Sequence, residues 1–131
     1  FSTTAMADRA QDEADIRDTV NQISAAYTSQ DAEAMAPLLA EDIETWEGIE
    51  GRDDVSVAWA NENTHYRKLE ELGIRFISDD VAIYRECGES WDVAEKDNQA
   101  PDTTHFIESW ILVKRIGKWW ATAFFYYPIE D

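Results

Sequence analysis

The chain has 131 residues, of which 44% are hydrophobic and six are tryptophan, so it is long and apolar enough to fold as one domain rather than stay disordered. Its 28 acidic and 11 basic residues give a formal charge of −17, and this negative field repels polyanions and disfavours nucleic acid as a partner. The same field favours neutral or cationic small molecules over phosphorylated ones. No apolar run approaches the roughly 20 residues of a transmembrane helix, so we expect no membrane insertion.

The single cysteine and the first residues bear on redox chemistry and targeting. One cysteine, Cys87, forms neither an internal disulfide nor a cysteine-rich metal site. The opening FSTTAMADRAQ has two interpretations: Met6 is the native start behind vector-derived residues, or AMA ends a signal peptide that is removed at Ala7. The first, which we prefer, predicts a cytoplasmic protein, and the second a periplasmic or secreted one. We expect residues 1–11 to be a flexible N-terminus and residues 12–131 to form the domain.

Helical periodicity dominates the first part of the chain. Apolar residues at steps of four, three and four predict a helix over about residues 12–29: Ile16, Val20, Ile23 and Tyr27. Asp31 is a suitable cap for a second, shorter helix through Leu39, which Pro37 kinks or delays. The segment EDIETWEG then predicts a short strand that ends at Gly48.

A third helix is predicted after Gly51, with Asp53 as its cap. Its apolar residues lie at approximate helical spacing: Val55, Trp59, Tyr66 and Leu69. From Gly73 the period changes to two, so IRFIS and VAIYREC predict strands on either side of Asp79-Asp80, and a third run surrounds Trp91. The segment EKDNQAPD is a charged loop.

Two long strands, 103–115 and 118–127, complete the chain as a hairpin with its tight turn at Ile116-Gly117. Three helices followed by antiparallel strands predict an α+β fold with helices on one side of a sheet. Pairing Lys114 with Trp119 fixes the register of the hairpin and so assigns each side chain to one of its two faces. One face then carries Phe106, Glu108, Trp110, Leu112, Ala121, Ala123 and Phe125; the other carries Ile107, Ser109, Ile111, Val113, Trp120, Thr122, Phe124 and Tyr126.

Both faces of this hairpin are apolar, which is unusual for a sheet that helices cover on one side only. Something else must cover the second face, and a second copy of the chain is the simplest candidate. We therefore predict a homodimer through the face that bears Trp120, Thr122, Phe124 and Tyr126.

Several segments together resemble the SnoaL-like group of the nuclear transport factor 2-like superfamily. They are IRDTVNQISAAYTSQDAEAMAPLLAEDIETWEG, GRDDV, FISDDVAIY and SWILVKRIGKWWATAFF, and the resemblance covers about residues 12–127. It implies a strongly curved antiparallel sheet whose concave face holds the three N-terminal helices, an α+β cone or barrel with an apolar pocket and a dimer through the convex face. Members include polyketide cyclases, ketosteroid isomerases and dehydratases, as well as pocket proteins without a known activity, so the fold alone does not name the reaction.

Ketosteroid isomerases of this superfamily use a general-base aspartate after the first strand and an oxyanion-stabilising tyrosine in the first helix. The base position falls here on Glu47, which keeps a carboxylate. The tyrosine position falls on Ile23, which cannot donate a hydrogen bond, although Tyr27 lies one turn later. SnoaL-like relatives often end the last strand in a His-Asn pair, where this chain has FFYY.

Glu108 is the most informative candidate, because it lies in the middle of the apolar strand THFIESWILVKR. A carboxylate there is either paired with a base such as Lys114 or Arg85, or it faces a cavity whose apolar walls raise its pKa and suit it to acid–base catalysis. We predict the second arrangement, with Glu47, Tyr27 and His65 as further catalytic candidates. His105, the other imidazole, is a second candidate proton shuttle.

The expected ligand is a neutral, partly aromatic small molecule in a pocket whose walls include Tyr27, Trp46, Trp59, Trp110 and Phe125. The chain has no histidine pair with metal-ligand spacing, no phosphate-binding glycine loop and no nucleophile elbow, so we expect no metal and no cofactor. Two functions stay open. The chain is either an isomerase, cyclase or dehydratase that uses a carboxylate on a neutral carbonyl compound, or a protein that only binds or senses a small hydrophobic molecule.

Overall fold

A curved five-stranded sheet forms the framework, with three helices against its concave face. The computed structural model describes residues 2–62, 64–92 and 103–129. In chain order the elements are α1 (Ser2–Thr28), α2 (Ala32–Met35), a 3-10 turn (Ala36–Leu38), β1 (Leu39–Thr45), α3 (Arg52–Ala60), β2 (Thr64–Ser78), β3 (Val81–Asp92), β4 (Thr104–Arg115) and β5 (Lys118–Ile129).

The strand order is β1-β5-β4-β3-β2. β1 runs parallel to β5, and the pairs β2–β3, β3–β4 and β4–β5 are antiparallel. The prediction of an α+β fold with helices in the concave face of a curved sheet is confirmed. The sheet does not close, however, so it is an open cone rather than a barrel.

The apolar stripe of α1 packs against the sheet as predicted. Ile16, Val20 and Ile23 are fully buried in the core, and Tyr27 is partly buried against it. The predicted start at residue 12 was wrong, because α1 begins at Ser2 and includes most of the segment that we expected to be flexible. This extension contains Ala, Met, Arg and Gln, which are good helix formers.

The first half of α1 is fixed to the last hairpin by Asp12. Its Oδ1 accepts hydrogen bonds from Lys114 Nζ at 3.0 Å and from the indole Nε1 of Trp119 at 3.1 Å. Asp12 and Trp119 are both buried, so a charged acceptor with two donors holds the helix across the sheet. Lys114 is therefore engaged here and does not pair with Glu108.

The second helix follows the prediction closely. Asp31 caps α2, since its side chain accepts a hydrogen bond from the backbone N of Ala34 at 3.0 Å. Pro37 lies in the 3-10 turn that follows, where its missing N–H costs little. β1 begins at Leu39 and ends at Thr45, so it is shifted toward the N-terminus relative to the predicted strand.

The third helix is shorter than predicted. α3 ends at Ala60, and Tyr66 and Leu69 lie in β2 instead. Asn61 explains the end, because its side chain donates to the carbonyl of Val57 and so competes with the helix backbone. The N-cap is Gly51, with a φ of +92°, and not Asp53. The predicted loop EKDNQAPD lies outside the described residues.

The last hairpin has the predicted turn and the predicted register at its tip. Ile116 and Gly117 both have positive φ values, 55° and 70°, which is the geometry of a two-residue turn that matches the twist of the strands. Lys114 pairs with Trp119 as predicted.

A β-bulge changes the register further along this hairpin. Leu112 pairs with Ala121, but Ile111 pairs with Ala123, so Thr122 is an extra residue in β5. Every side chain after the bulge therefore points to the face opposite to the predicted one. Phe124, Tyr126, Ala123 and Phe125 were all assigned to the wrong face: the first two face the helices, and the last two lie on the convex face.

The convex face keeps an apolar surface outside the layer of helices. Phe125 is 49% exposed and Tyr127 is 69% exposed on β5, and Trp120 on the same strand is partly buried. The Trp120 ring lies under the ammonium of Lys118, at 4.1 Å from the ring centre. Among the described helices, none combines the length and the apolar composition that crossing a membrane requires.

Candidate functional site

A cavity of about 290 Å³ lies between the C-terminal half of α1, α3 and the concave face of the sheet. Its volume is at the small end of the range for ligand pockets. The lining residues are Ile23, Ser24, Tyr27, Trp46, Glu47, Trp59, Glu62, Thr64, Tyr66, Ser90, Asp92, Thr104, Phe106, Glu108, Trp110, Phe124 and Tyr126.

The inner wall of this cavity is an interlocked aromatic cluster. Trp110 and Phe124 have ring centres 4.4 Å apart, and Trp59 meets Phe124 at 5.1 Å and Trp110 at 5.6 Å, each near a right angle. All three rings are buried. Such edge-to-face contacts fix the rings in place, so the inner wall is rigid.

The outer rim of the cavity is more exposed. Trp46 is 51% exposed and stacks on Tyr126 at 5.6 Å between ring centres. Glu47 lies beside it in the turn after β1, and its Oε1 accepts a hydrogen bond from the indole of Trp59 at 3.5 Å. Glu47 is thus an exposed carboxylate at the cavity mouth.

Strand geometry brings Glu108 to the cavity and places Glu86 beside it. Glu108 lies between Phe106 and Trp110 on the inward face of β4, and its direct cross-strand neighbour on β3 is Glu86. Glu86 is only 1% exposed, and the two side chains are close enough for each to shift the pKa of the other. Neither oxygen of Glu86 has a hydrogen-bond partner in the described part of the chain.

This carboxyl pair is held partly protonated. Burial raises the pKa of Glu108 well above its usual value, and the nearby charge of Glu86 raises it further. Burial also raises the pKa of Glu86. Because two adjacent carboxylates in an apolar environment resist simultaneous ionisation, we expect the pair to keep a proton near neutral pH. The remaining exposed surface of Glu108 faces the cavity, so this proton is accessible to a ligand.

A second polar pair, Tyr27 and Glu62, lies on the other side of the cavity. The two side chains are close enough for each to shift the pKa of the other, and burial is the largest cause that raises the pKa of both the Tyr27 hydroxyl and the Glu62 carboxyl. Tyr27 therefore lies beside a carboxyl group at the cavity wall.

The sequence analysis missed both Glu62 and Glu86. Glu62 fell inside the helix that was predicted to continue through Leu69, and its position just after α3 depends on where that helix ends. Glu86 carried a usable signal, since it follows Ala82 and Tyr84 at a spacing of two and shares their inward face.

Two predicted site residues lie away from the cavity. His65 is exposed on β2, next to Trp91 at 5.8 Å, while its neighbours Thr64 and Tyr66 line the cavity. Phe125 lies on the convex face because of the bulge in β5. The predicted roles of His65 as a proton shuttle and Phe125 as a wall residue are therefore corrected.

His105, the other imidazole, also lies outside the cavity lining. Its Nε2 is 3.4 Å from the Glu89 carboxylate. Within the described ranges, no group of three or more His, Cys, Asp and Glu side chains is arranged to hold a metal ion.

Neither a protein-family model nor a curated protein sequence matches the chain, but many solved structures do. A putative scytalone dehydratase from Novosphingobium aromaticivorans DSM 12444 superposes with a TM-score of 0.79 at 16% identity, over 95% of this chain and 89% of that one. A hexachlorocyclohexane dehydrochlorinase, LinA-type3 from Novosphingobium barchaimii LL02, gives 0.78 at 15% identity, over 94% and 90%. The association domain of C. elegans CaMKII gives 0.71 at 18% identity, over 92% and 98%.

At such low identities the likeness establishes a shared fold. Other matching structures are described as having a cystatin-like fold. The chain therefore has this α+β fold, as the sequence resemblance predicted.

The carboxyl pair predicts how Glu108→Gln changes the pH dependence of stability. A carboxyl group whose pKa is higher in the folded protein than in the unfolded chain stabilises the fold while it is protonated. This stabilisation is fully present below the unfolded pKa of about 4.3 and is lost as the pH rises through the folded pKa. Glu108→Gln removes one of the two acids, so its stability relative to the natural chain should rise by roughly 1 kcal/mol or more between about pH 5 and about pH 8. Urea unfolding at both pH values measures this change.

Glu70→Gln is the matched control, because it removes one carboxylate at an exposed position of β2. Its stability relative to the natural chain should change much less between the two pH values. If Glu108→Gln instead loses stability relative to the natural chain as pH rises, the Glu108 carboxylate is stabilised in its charged form and the pair does not hold a proton.

Proposed function

We propose that this chain, which has the nuclear transport factor 2-like fold, is an enzyme that moves a proton on a small carbonyl compound in the cavity. The Glu108–Glu86 pair is the acid–base group of this reaction. The observation that carries the proposal is the position of the pair: a buried, proton-sharing carboxyl pair with one member open to an aromatic cavity. Enzymes tune carboxyl groups in this way for acid–base catalysis near neutral pH.

The proposed reaction begins when the proton of the pair moves from Glu108 to Glu86. The ionised Glu108 then takes a proton from the carbon next to the carbonyl group, and the proton on Glu86 returns to Glu108 when the reaction is complete. The electron pair of that C–H bond moves to the carbonyl oxygen and forms an enolate. Glu108 then returns the proton to a different carbon, which isomerises the substrate, or to a leaving hydroxyl group, which eliminates water. In both cases the enzyme ends in its starting protonation state.

Trp110 supplies the hydrogen bond that the enolate oxygen needs. Its indole Nε1 is buried and has no hydrogen-bond partner in the described part of the chain. Trp110 lines the cavity two residues after Glu108 on the same strand face. A buried donor without a partner is costly, and a substrate oxygen would satisfy it. In this proposal Trp110 takes the role for which Ile23 is unsuited, and Tyr27 lies beside Glu62 instead.

The comparisons support a reaction of this class. Two of the similar structures are described as a scytalone dehydratase and a dehydrochlorinase, and both words name eliminations, in which a proton leaves carbon. The alternative is a protein that binds or senses a small hydrophobic molecule. The association domain of C. elegans CaMKII has the same fold and is named for assembly rather than for catalysis, so the fold does not require an enzyme.

Hydrogen–deuterium exchange tests the proposed reaction without knowledge of the natural substrate. Small ketones are incubated with the protein in D₂O, and NMR follows deuterium incorporation at the carbon next to the carbonyl group. The natural chain should accelerate exchange of at least one ketone, and Glu108→Gln should slow it by about 100-fold or more. Trp110→Phe should also slow it by about 100-fold, because it removes the donor to the enolate oxygen.

Thermal shift measures ketone binding by the same variants, and Glu70→Gln serves as the control that keeps exchange. Binding without exchange in the natural chain supports the alternative of a binding protein. Equal exchange by Glu108→Gln and the natural chain rules out the carboxyl pair as the acid–base group.

We also propose that the convex face forms a homodimer. The sequence analysis placed Trp120, Thr122, Phe124 and Tyr126 on this face, and the bulge replaces the last two with Phe125 and Tyr127. Aromatic residues as exposed as Phe125 and Tyr127 on one strand face are typical of a surface that a partner covers. A second copy covers it most simply, because a two-fold axis brings the same patch to both sides.

Light scattering at micromolar concentration should therefore give the mass of a dimer, and Phe125→Glu or Trp120→Glu should shift it toward the monomer. Each change places a charge in an apolar interface without touching the core. Ile116→Glu is the control, since Ile116 is fully exposed in the hairpin turn. A natural chain that is monomeric at this concentration would contradict the proposed dimer.

A further inference from the structure

Among the described residues that line the cavity, the side chains that can carry a charge near neutral pH are all acids. Four of these seventeen residues carry carboxyl groups, and none of the seventeen is lysine, arginine or histidine. The four are Glu47, Glu62, Asp92 and Glu108. A cavity of this kind attracts cations and repels anions.

Two partly buried acids outside the cavity, Asp12 and Glu71, are paired with cations. The Asp12 carboxylate is 3.0 Å from Lys114 Nζ, and the Glu71 carboxylate is 2.9 Å from Arg17 Nε. In the described part of the chain, no salt bridge is formed by any of the four cavity acids. A partly buried carboxylate loses hydration, and a nearby cation normally offsets that loss.

Glu62 is the clearest case of a partly buried carboxyl group in the cavity without a cation beside it. Burial is the largest cause of its raised pKa, and the nearby charge of Glu47 raises it further, while only the hydrogen bond from Tyr27 opposes them. A positive charge placed between Glu47 and Glu62 would relieve both the repulsion and the lost hydration.

The walls of the cavity suit a cation that is partly apolar. Eight of the lining residues are aromatic: Tyr27, Trp46, Trp59, Tyr66, Phe106, Trp110, Phe124 and Tyr126. The faces of such rings attract ammonium groups, most strongly where water is excluded.

An independent observation indicates that a ligand completes this site. Trp110 is only 4% exposed and its Nε1 donor has no partner in the described residues, although it lines the cavity. A ligand with a hydrogen-bond acceptor at its inner end would satisfy this donor. The acceptor and the cation therefore belong to opposite ends of one small molecule.

We propose that the ligand of this cavity is a small ammonium compound with a carbonyl oxygen, whose positive group lies between Glu47 and Glu62 and whose oxygen accepts from Trp110. The inference of a carbonyl group in the ligand rests on the proposed function, whereas the inference of a positive charge rests on the residues that line the cavity. This differs from the sequence-based prediction of a neutral ligand.

Calorimetric titration with three matched probes tests the charge preference. The probes are N-methylpiperidone, which is protonated at neutral pH, its neutral isostere methylcyclohexanone, and the anion oxocyclohexanecarboxylate. The amine should bind the natural chain at least about tenfold more tightly than the neutral ketone, and the anion should show the weakest binding. Tighter or equal binding of the neutral ketone or the anion, or binding of none of the three, would overturn the proposal.

Glu62→Gln separates the local site from the general negative field of the protein. It removes one charge but keeps the size and shape of the side chain, so the preference for amine over ketone should fall to near unity while ketone binding persists. Glu70→Gln removes the same charge at an exposed site and should keep the preference. An equal fall in both variants would assign the preference to net charge and contradict a local ammonium site.

These outcomes are independent of turnover. If the amine binds selectively but no ketone undergoes exchange, the ligand class stands and the proposed reaction fails. If neutral ketones exchange rapidly while the amine has no advantage, the reaction stands and the ligand class fails. Thermal unfolding of each variant verifies that it is folded before titration.

Discussion

Two glutamates on neighbouring strands, Glu86 and Glu108, set the chemistry of this protein. They lie directly opposite each other on the inward face of an apolar sheet, where full ionisation of both would leave two adjacent charges with little hydration. We therefore expect the pair to keep a proton, and its inner member, Glu86, has no hydrogen-bond partner among the described groups. Two adjacent buried carboxyl groups lower the stability of the folded protein. Residues that lower stability in this way are typical of functional sites.

The position of this pair depends on the rest of the fold. The bulge at Thr122 turns Phe124 and Tyr126 inward, and without it β5 would present Phe125 to the cavity instead. Asp12 holds the first half of α1 against Lys114 and Trp119. The same helix brings Ile23 and Tyr27 over the sheet.

Local sequence patterns predicted much of this structure. The stripe of Ile16, Val20 and Ile23 gave α1, and Ile116-Gly117 gave the hairpin turn, because each depends on neighbours along the chain. The bulge at Thr122 was not predictable in this way, since an extra residue in one strand leaves the alternation ambiguous and is decided by packing against the helices. The predicted length of α3 was wrong for a similar reason. Tyr66 and Leu69 are also suited to a strand, and the pairing of their segment with β3 places them in β2.

The site was predicted less completely than the fold. Glu108 was recognisable because a single acid interrupted an apolar strand, but its partner Glu86 is identified only by the register between β3 and β4. Similarly, the acidic lining of the cavity follows from which side chains meet in space. Composition indicated only the sign of the net charge. Among the described lining residues that sign is also the local one, because they include four acids and no lysine, arginine or histidine.

Carbon-detected NMR titration of the Glu86 and Glu108 carboxyl groups tests the central claim most directly, with the resonances assigned from the two glutamine variants. The account predicts that the pair keeps one proton at neutral pH, so at least one carboxyl carbon shows the chemical shift of the neutral acid at a pH where exposed glutamates are fully ionised. If both carboxyl groups titrate at or below the value of an exposed glutamate, about 4.3, the pair holds no proton and the proposed acid–base site is wrong.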